Sequence, residues 1–205
     1  MKKKVYWGIG IIALLVVAYG WLAGYRFTMS SAISAGFHKD YRVILSEDMP
    51  GGKAVLYEDT FHGTFGVGKL HTLWGLLYAH GGEGGSLRAQ EDGQPFELAG
   101  YGSGGDDIWF LVGIRVRDDS QIRYLSAGNH LKDLAYDEPY TMTLDDVKAN
   151  PNHYEWEEAT GRYALLVLDD YTEENWTIRA LDQEGKLIAD KPFAAQPRYL
   201  DQQQP

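Results

Sequence analysis

Hydrophobic residues are concentrated at the start of the chain, where 21 consecutive residues carry no formal charge. This run, residues 5–25, follows the lysines at positions 2–4 and ends before Arg26. A helix rises about 1.5 Å per residue, so the run would reach about 31 Å and match a hydrocarbon core of about 30 Å. The pattern predicts a single transmembrane helix, with residues 1–26 as a membrane anchor.

The positive charges around this run predict its orientation. Three lysines and the α-amine precede it and Arg26 follows it, so the positive-inside rule places the N-terminus in the cytoplasm. The predicted location is therefore the cell membrane, as a single-pass protein with its C-terminal domain outside the cytoplasm. A cleaved signal peptide is the alternative, because it shares the charged start and the apolar stretch. The length of the run favours a retained anchor.

Beyond the run, the spacing of apolar residues changes along the chain. They recur every three or four positions over residues 28–48, which predicts a helix capped by Thr28 or Ser30 and ended by Pro50 and its glycines. A second, short helix is predicted over residues 144–150, capped by Thr143. Alternating or continuous apolar residues predict strands at 53–58, 65–78, 87–89, 96–98, 108–116, 121–125, 163–168, 176–181 and 187–189. The turn at 118–120 makes 121–125 the expected hairpin partner of 108–116.

This order of elements predicts an α+β fold, with an N-terminal transmembrane helix and then a helix packed on a mainly antiparallel β-sheet. The chain beyond Arg26 is long enough for one domain with its own core, so residues 27–195 are predicted to form one extracytoplasmic α+β domain. Residues 196–205 are polar and contain proline, and they are predicted to form a flexible tail.

The charge of the chain narrows the classes of partner. Beyond residue 26 there are 15 basic and 29 acidic residues, so this part carries −14 with histidine neutral, against −10 for the whole chain. Such a surface repels polyphosphates, and no nucleic-acid partner is predicted. The chain contains no cysteine, which excludes disulfides and thiolate metal sites.

Six segments carry a resemblance to known proteins. They are TMSSAI at 28–33, KDY at 39–41, GGKAVLY at 51–57, LWG at 73–75, the stretch 113–122 that begins with Gly-Ile, and IRALDQEGKLI at 178–188. In this order they resemble small, single-span, surface-exposed proteins of Bacillus-like Firmicutes. The resemblance implies a cell-surface location and a helix that precedes a sheet, and it implies no reaction.

One glycine-rich segment has the spacing of a phosphate-binding loop. Residues 63–69 read GTFGVGK, but Leu70 stands where a Ser or Thr hydroxyl would bind Mg²⁺. A P-loop also joins a strand to a helix, and no helix is predicted after this segment. We interpret it as a glycine-rich strand and turn.

Two groups of residues are candidate metal ligands. His62, His71 and His80, with Asp59 or Glu58 nearby, could bind Zn²⁺, but residues nine apart on a strand point to opposite faces. Acidic pairs that could bind Ca²⁺ occur at 106–107, 118–119, 145–146 and 169–170, and none has the EF-hand spacing. No metal, cofactor or catalytic residue is assigned.

The predicted function is therefore binding or interaction at the cell envelope, with another envelope protein or with wall polymer, and not catalysis. The tryptophans at 74, 109, 156 and 176 could stack on sugar rings or form the core. The alternative is a hydrolase that acts on envelope material, which would need two carboxylates about 5–10 Å apart in a cleft. The oligomeric state is left open.

Overall fold

A computed structural model of the protein describes residues 6, 7, 11, 15, 17–35, 40–85, 93–103, 108–128, 141–169, 176–192 and 194–200. Within these ranges the chain forms three antiparallel sheets and short helices. The helices are α1, described over residues 17–22, α2 (Met29–Ala35) and α3 (Leu144–Ala149).

The three sheets are named here front, middle and back. The front sheet has the order β1 (Tyr41–Met49), β2 (Gly52–Asp59), β3 (Phe65–Leu73) and β4 (Leu77–Gly85). The middle sheet consists of β5 (Phe96–Ser103), β6 (Trp109–Val116) and β9 (Tyr163–Asp169), with β6 in the centre. The back sheet has at its two edges β8 (Tyr154–Glu158) and β12 (Arg198–Tyr199), and between them lie β7 (Tyr124–Gly128), β10 (Thr177–Leu181) and β11 (Leu187–Lys191).

The middle sheet is buried on both faces. Leu111 and Leu165 point to a core shared with the front sheet, whereas Val112, Ile114 and Leu166 point to a core shared with the back sheet. Side chains alternate between the two faces of a strand, so a strand covered on both sides must be apolar at nearly every position. This explains the nearly continuous apolar sequence of β6, WFLVGIRV.

The helices cover the outer faces of the two outer sheets. Ile33 of α2 is fully buried and packs with Val55 and Leu70 of the front sheet. Leu144 of α3 packs with Leu181 and Leu187 of the back sheet. The layers therefore follow the order α2, front sheet, middle sheet, back sheet, α3.

The predicted α+β fold class is wrong, because the described chain is mostly antiparallel sheet. Of the helix predicted over residues 28–48, the structure shows α2 (Met29–Ala35), whereas residues 41–49 form β1. Aromatic and β-branched residues such as Tyr41 and Val43 favour a strand. Pro50 and Gly51, with φ of 77° at Gly51, form the turn of the β1–β2 hairpin rather than the end of a helix.

Two further predictions about strands need correction. Residues 121–125 were expected to pair with β6 in a hairpin, but β7 belongs to the back sheet and pairs with β8 and β10. Residues 198–199 of the predicted tail form β12, which pairs with β11. The strand predicted at 65–78 is a hairpin, β3 and β4, and the one predicted at 87–89 lies outside the described residues.

Most of the other strands and the short helix are confirmed. The predictions at 53–58, 108–116, 163–168, 176–181 and 187–189 match β2, β6, β9, β10 and β11. The helix at 144–150 matches α3, and Thr143 is its N-cap. These elements carry either a strong apolar run or a local capping signal, and both act over a few residues.

The predicted membrane-spanning helix is not found. In the part of the chain that the structure describes, no helix has the length and apolar character needed to cross a membrane. The predicted run does not stay helical to its end: after residue 22 the chain turns, with φ of 87° at Gly24, and Arg26 pairs with Tyr78 of β4. The predicted single-pass location and membrane partner are therefore wrong. Residues 1–5, 8–10, 12–14 and 16 of the predicted anchor lie outside the described residues.

Candidate functional site

The tip of the β3–β4 hairpin presents two large apolar side chains to solvent. Trp74 and Gly75 both have positive φ, 54° and 69°, and the amide of Leu76 donates to the carbonyl of Leu73 at 3.2 Å. A left-handed conformation is unusual for a bulky residue, and such strain tends to persist at functional positions. The turn projects Trp74 and Leu76 outward, with 74% and 71% of each residue exposed.

The N-terminal segment packs beside this hairpin. Gly20 is buried, and a Cβ added there would meet Leu77 at 3.9 Å. The backbone of Arg26 exchanges two hydrogen bonds with Tyr78, at 2.7 and 2.8 Å. The Arg26 guanidinium lies 4.3 Å from the ring centroid of Trp21 and donates to the Trp21 carbonyl at 3.0 Å. The positive charge of Arg26 thus lies next to Trp21 of the same N-terminal segment.

Together these two regions form what we call the apolar surface. Its members are between 55% and 85% exposed and are Tyr19, Trp21, Leu22, Phe27, Trp74 and Leu76. An aromatic side chain can bury 150–250 Å², so the exposed parts of the four rings alone contribute roughly 500 Å². The largest apolar patch on a typical monomer is about 300–600 Å². The apolar surface reaches that size before its leucines are counted.

A polar network occupies the contact between the front and middle sheets. Arg42 donates to Glu58 at 3.1 Å, and the Tyr163 hydroxyl donates to the other Glu58 oxygen at 2.9 Å. Arg115 hydrogen-bonds Tyr163 and donates to Glu97 at 2.6 Å. Burial and the hydrogen bond to Glu58 raise the pKa of Tyr163, so its hydroxyl stays protonated at neutral pH.

This network contains two carboxylates that bear on the alternative prediction of a hydrolase. Glu58 and Glu97 are the two carboxylates that the fold brings into one network, and each accepts a hydrogen bond from a guanidinium. Hydrogen bonds between ionised groups are stronger than those between neutral groups, so each guanidinium fixes the position of its carboxylate. The network therefore links strands of the front and middle sheets.

A second cluster lies on the outer face of the front sheet. The Tyr57 hydroxyl is hydrogen-bonded to Glu83, and burial followed by the charge of Glu83 raises the pKa of Tyr57. Burial and the nearby His71 lower the pKa of His80, whose Nε2 lies 3.8 Å from Glu83. The Tyr57 ring lies over Gly66, where a Cβ would collide with it.

The segment with P-loop spacing is therefore part of this packing. Residues 65–69 belong to β3, which leads into a hairpin and not into a helix. A Cβ at Gly68 would lie 2.9 Å from both the Gly82 carbonyl and Ile33 of α2. These glycines let Tyr57 and α2 approach the sheet, and the interpretation as a glycine-rich strand and turn is confirmed.

The candidate metal ligands do not converge. His62 lies in the β2–β3 turn and pairs with Asp59 at 2.8 Å, while His71 and His80 lie on β3 and β4. Asp59 also accepts the amides of Phe61 and His62, and the bonds from His62 contribute to lowering the pKa of Asp59. Within the described residues no group of three or more His, Asp or Glu side chains could hold a metal ion.

The acidic pairs lie in a turn, at a helix start and at a strand end where the structure describes them. Asp118 and Asp119 follow β6 and pair with Arg162 and Arg117, at 2.8 and 2.9 Å. Residues 145–146 form the first turn of α3, and Asp169 ends β9. Residues 106, 107 and 170 lie outside the described residues.

The four tryptophans that could stack on sugars have different environments. Trp109 is buried in the core between the front and middle sheets. Trp156 and Trp176 are half-buried, and each lies near a lysine ammonium, Lys148 at 4.7 Å and Lys191 at 5.6 Å. Trp74 alone among the four is largely exposed. Of the four candidate stacking platforms, one ring, that of Trp74, is thus largely open to solvent.

Sequence reasoning missed the buried polar residues of the sheets. Glu97 and Arg115 face each other in the register of β5 and β6, and Arg179 lies fully buried within β10. The sequence carried a signal for Arg179. In the strand TIRAL the three residues Ile, Ala and Leu are apolar, and a single charged residue interrupts them. A buried charge requires partners, so such an interruption predicts a polar cluster.

Comparison with known proteins found no matching family model, no matching curated protein and no matching solved structure. The resemblance to single-span proteins of Bacillus-like Firmicutes is not tested by this result and stays a prediction. Function is therefore inferred below from the apolar surface and the polar clusters of the described residues.

Proposed function

We propose that this protein is an interaction module that binds a second copy of itself through the apolar surface. The observation that carries the proposal is the concentration of exposed aromatic and leucine side chains at 19–27 and at the β3–β4 turn. Exposed apolar groups of this extent gain free energy when a partner removes them from water. Trp74 has the properties of an interface anchor, because tryptophan is enriched among residues that dominate binding energy.

The size and charge of the apolar surface fit a second copy. A stable interface buries about 800 Å² on each partner, and the four rings with Leu22 and Leu76 approach that area. Arg26 is the charged residue within the surface, and Trp21 holds its guanidinium. Two such surfaces can meet without repulsion, although the whole chain carries −10. Most oligomers of identical chains use one patch twice about a two-fold axis.

The alternative function, hydrolysis by a carboxylate pair, has less support. Glu58 and Glu97 are both ion-paired with arginines within the network that joins the front and middle sheets. No observation in the described residues favours hydrolysis over binding, so we propose binding alone.

The test is a double substitution at the hairpin tip, Trp74→Asn with Leu76→Ser, in the full chain. Asn tolerates the positive φ of position 74, so the turn should keep its geometry. We expect the wild-type chain to form dimers with rising concentration in sedimentation velocity experiments. The double variant should dissociate at least about 30-fold more readily, since loss of an anchor costs about 2 kcal/mol or more.

Phe61→Asn is the matched control. Phe61 is 85% exposed at the tip of the β2–β3 turn and is not part of the apolar surface, so this variant should form dimers like the wild type. A wild-type chain that stays monomeric at all concentrations would contradict the proposal. Equal weakening by Phe61→Asn would contradict the assignment to this surface.

A further inference from the structure

A row of polar residues crosses the back sheet on the face away from the middle sheet. In register across the strands lie Arg198, Asp190, Arg179, Ser126 and Trp156. Asp190, Arg179 and Ser126 are fully buried. The apolar neighbours of Arg179 on β10, Ile178 and Ala180, point to the opposite face and into the core with the middle sheet. The row is thus a polar layer on the outer side of the sheet.

The guanidinium of Arg179 is fixed in this layer by the main chain and by a ring. Its Nη1 donates to the carbonyl of Gly128 at 2.9 Å and to that of Thr177 at 3.0 Å. Its Cζ lies 5.1 Å from the ring centroid of Tyr154. The neighbouring carboxylate of Asp190 accepts a hydrogen bond from Arg198 at 2.8 Å. The position of the positive charge is therefore set before any ligand binds.

Two buried hydroxyl groups flank this guanidinium. Ser126 lies directly opposite Arg179 across β7 and β10, and Tyr154 packs its ring against Arg179. Ser126 is 0% and Tyr154 3% exposed, and within the described residues neither hydroxyl has a hydrogen-bond partner. Burying a hydroxyl without a partner is unfavourable, so such groups in a folded protein indicate a water or a ligand.

We propose that Ser126, Tyr154 and Arg179 form a binding site for a small oxyanion, such as inorganic phosphate or sulfate. Both hydroxyls can donate a proton, and a guanidinium can only donate, so the set calls for a ligand rich in acceptors. Hydrogen bonds from a guanidinium to an oxyanion are stronger than those between neutral groups. The site lies on the back sheet, apart from the apolar surface, and it does not depend on the proposed self-association.

The test compares the full-length wild type with Ser126→Ala and Tyr154→Phe, which delete one hydroxyl each and conserve the shape. Isothermal titration calorimetry and thermal melting would use sodium phosphate, sodium sulfate and sodium acetate, with sodium chloride at matched ionic strength. Phosphate or sulfate should bind the wild type saturably and raise its melting temperature by about 2–4 °C over chloride. Each variant should bind about tenfold more weakly, because a hydrogen bond to a charged ligand is lost.

Without an oxyanion, the two substitutions should no longer be unfavourable. Removing a buried hydroxyl that has no partner is neutral or stabilising, so both variants should melt at or slightly above the wild-type temperature in chloride. Tyr78→Phe, a change on the front sheet, is the control and should respond to phosphate like the wild type. Absence of any specific effect of phosphate or sulfate would overturn the proposal, and so would equal binding by wild type and both variants. Preference for acetate would assign the site to carboxylates instead.

Discussion

Gly113, in the central strand of the middle sheet, shows how closely the layers pack. A Cβ at this position would lie 2.5 Å from Val67 Cγ1 and 3.2 Å from Leu56 Cδ1, both in the core shared with the front sheet. In the sequence this glycine interrupts the nearly continuous apolar run of β6. In the structure, Val67 and Leu56 of the front sheet occupy the space that a side chain at position 113 would take.

Gly113→Ala tests this packing. We expect the substitution to lower the free energy of unfolding by about 1–3 kcal/mol, because Val67 and Leu56 must move within a close-packed core. Urea unfolding followed by circular dichroism measures the change. Gly85→Ala is the control, since a Cβ there meets no atom within 4 Å, and it should change the stability little. Equal changes in the free energy of unfolding for the two substitutions would contradict close packing at position 113.

Among the elements, α3 has the most complete local signal. The Thr143 hydroxyl accepts the amide of Asp146 at 3.2 Å, and the Asp146 carboxylate accepts the Thr143 amide at 2.8 Å. This capping box fixes the start of a six-residue helix that buries Leu144 and Val147 against the back sheet. The hydrogen bonds from the Thr143 hydroxyl and amide lower the pKa of Asp146.

Thr143→Ala should lower the free energy of unfolding by about 0.5–2 kcal/mol at neutral pH, as losses of N-caps do. The size of this loss should depend on pH. Because the folded-state pKa of Asp146 is lowered, its contribution is present above the unfolded pKa of about 3.9 and is lost as the pH falls through the folded value. The difference between Thr143→Ala and wild type should therefore shrink below about pH 4. Thr143→Ser keeps the hydroxyl and should match the wild type in thermal melts at each pH.

The elements also show what could be predicted from the sequence. The start of α3 and strands such as β6 were predicted because their signals, a cap and a buried apolar run, lie within a few residues. The helix expected over residues 28–48 was wrong, since its apolar spacing is compatible with a short helix followed by a strand that pairs with β2. The placement of β7 in the back sheet depends on partners more than 25 residues away along the chain, β8 and β10. No local pattern encodes that choice.

The candidate site was less predictable than the fold. Trp74 could be identified as a candidate for stacking, but its exposure depends on the turn at the hairpin tip. Ser126 and Tyr154 have no distinguishing sequence context, and they come together with Arg179 through the order of β8, β7 and β10. The location of exposed apolar residues beside β4 likewise depends on the pairing of Arg26 with Tyr78.

At the scale of the whole molecule, edge strands of all three sheets meet on one side. The middle-sheet strand β9 packs beside β1 of the front sheet and β8 of the back sheet. Acidic residues from the three strands face one another there. Burial, followed by the charge of Asp169, raises the pKa of Glu155, and burial, followed by Glu47 and Glu155, raises that of Glu157. The sheets thus meet where acidic side chains repel one another, and because all four are exposed, water and salt weaken that repulsion.

Lowering the pH should stabilise the contact of β9 with β1 and β8. A carboxyl group whose folded pKa is raised contributes stability below its unfolded pKa, about 4.3, and this contribution is lost as the pH rises through the folded value. The double variant Glu155→Gln, Glu157→Gln should therefore melt higher than the wild type at pH 7, and the difference should decrease towards pH 4.5. Glu158→Gln removes the ion pair with Arg123 and should not stabilise. A double variant that melts lower at pH 7 would contradict the assignment of repulsion.

The double burial of the middle sheet has a consequence for how the chain is made. β5 and β6 emerge from the ribosome well before β9, because the residues of β7, α3 and β8 lie between them in the sequence. Until residue 169 has been synthesised, β6 has an unpaired edge, and its face towards the back sheet stays largely uncovered until β10 and β11 follow. Such an edge invites pairing with other nascent chains. A strand that contributes to both cores is thus open to non-native pairing until the last third of the chain has been made.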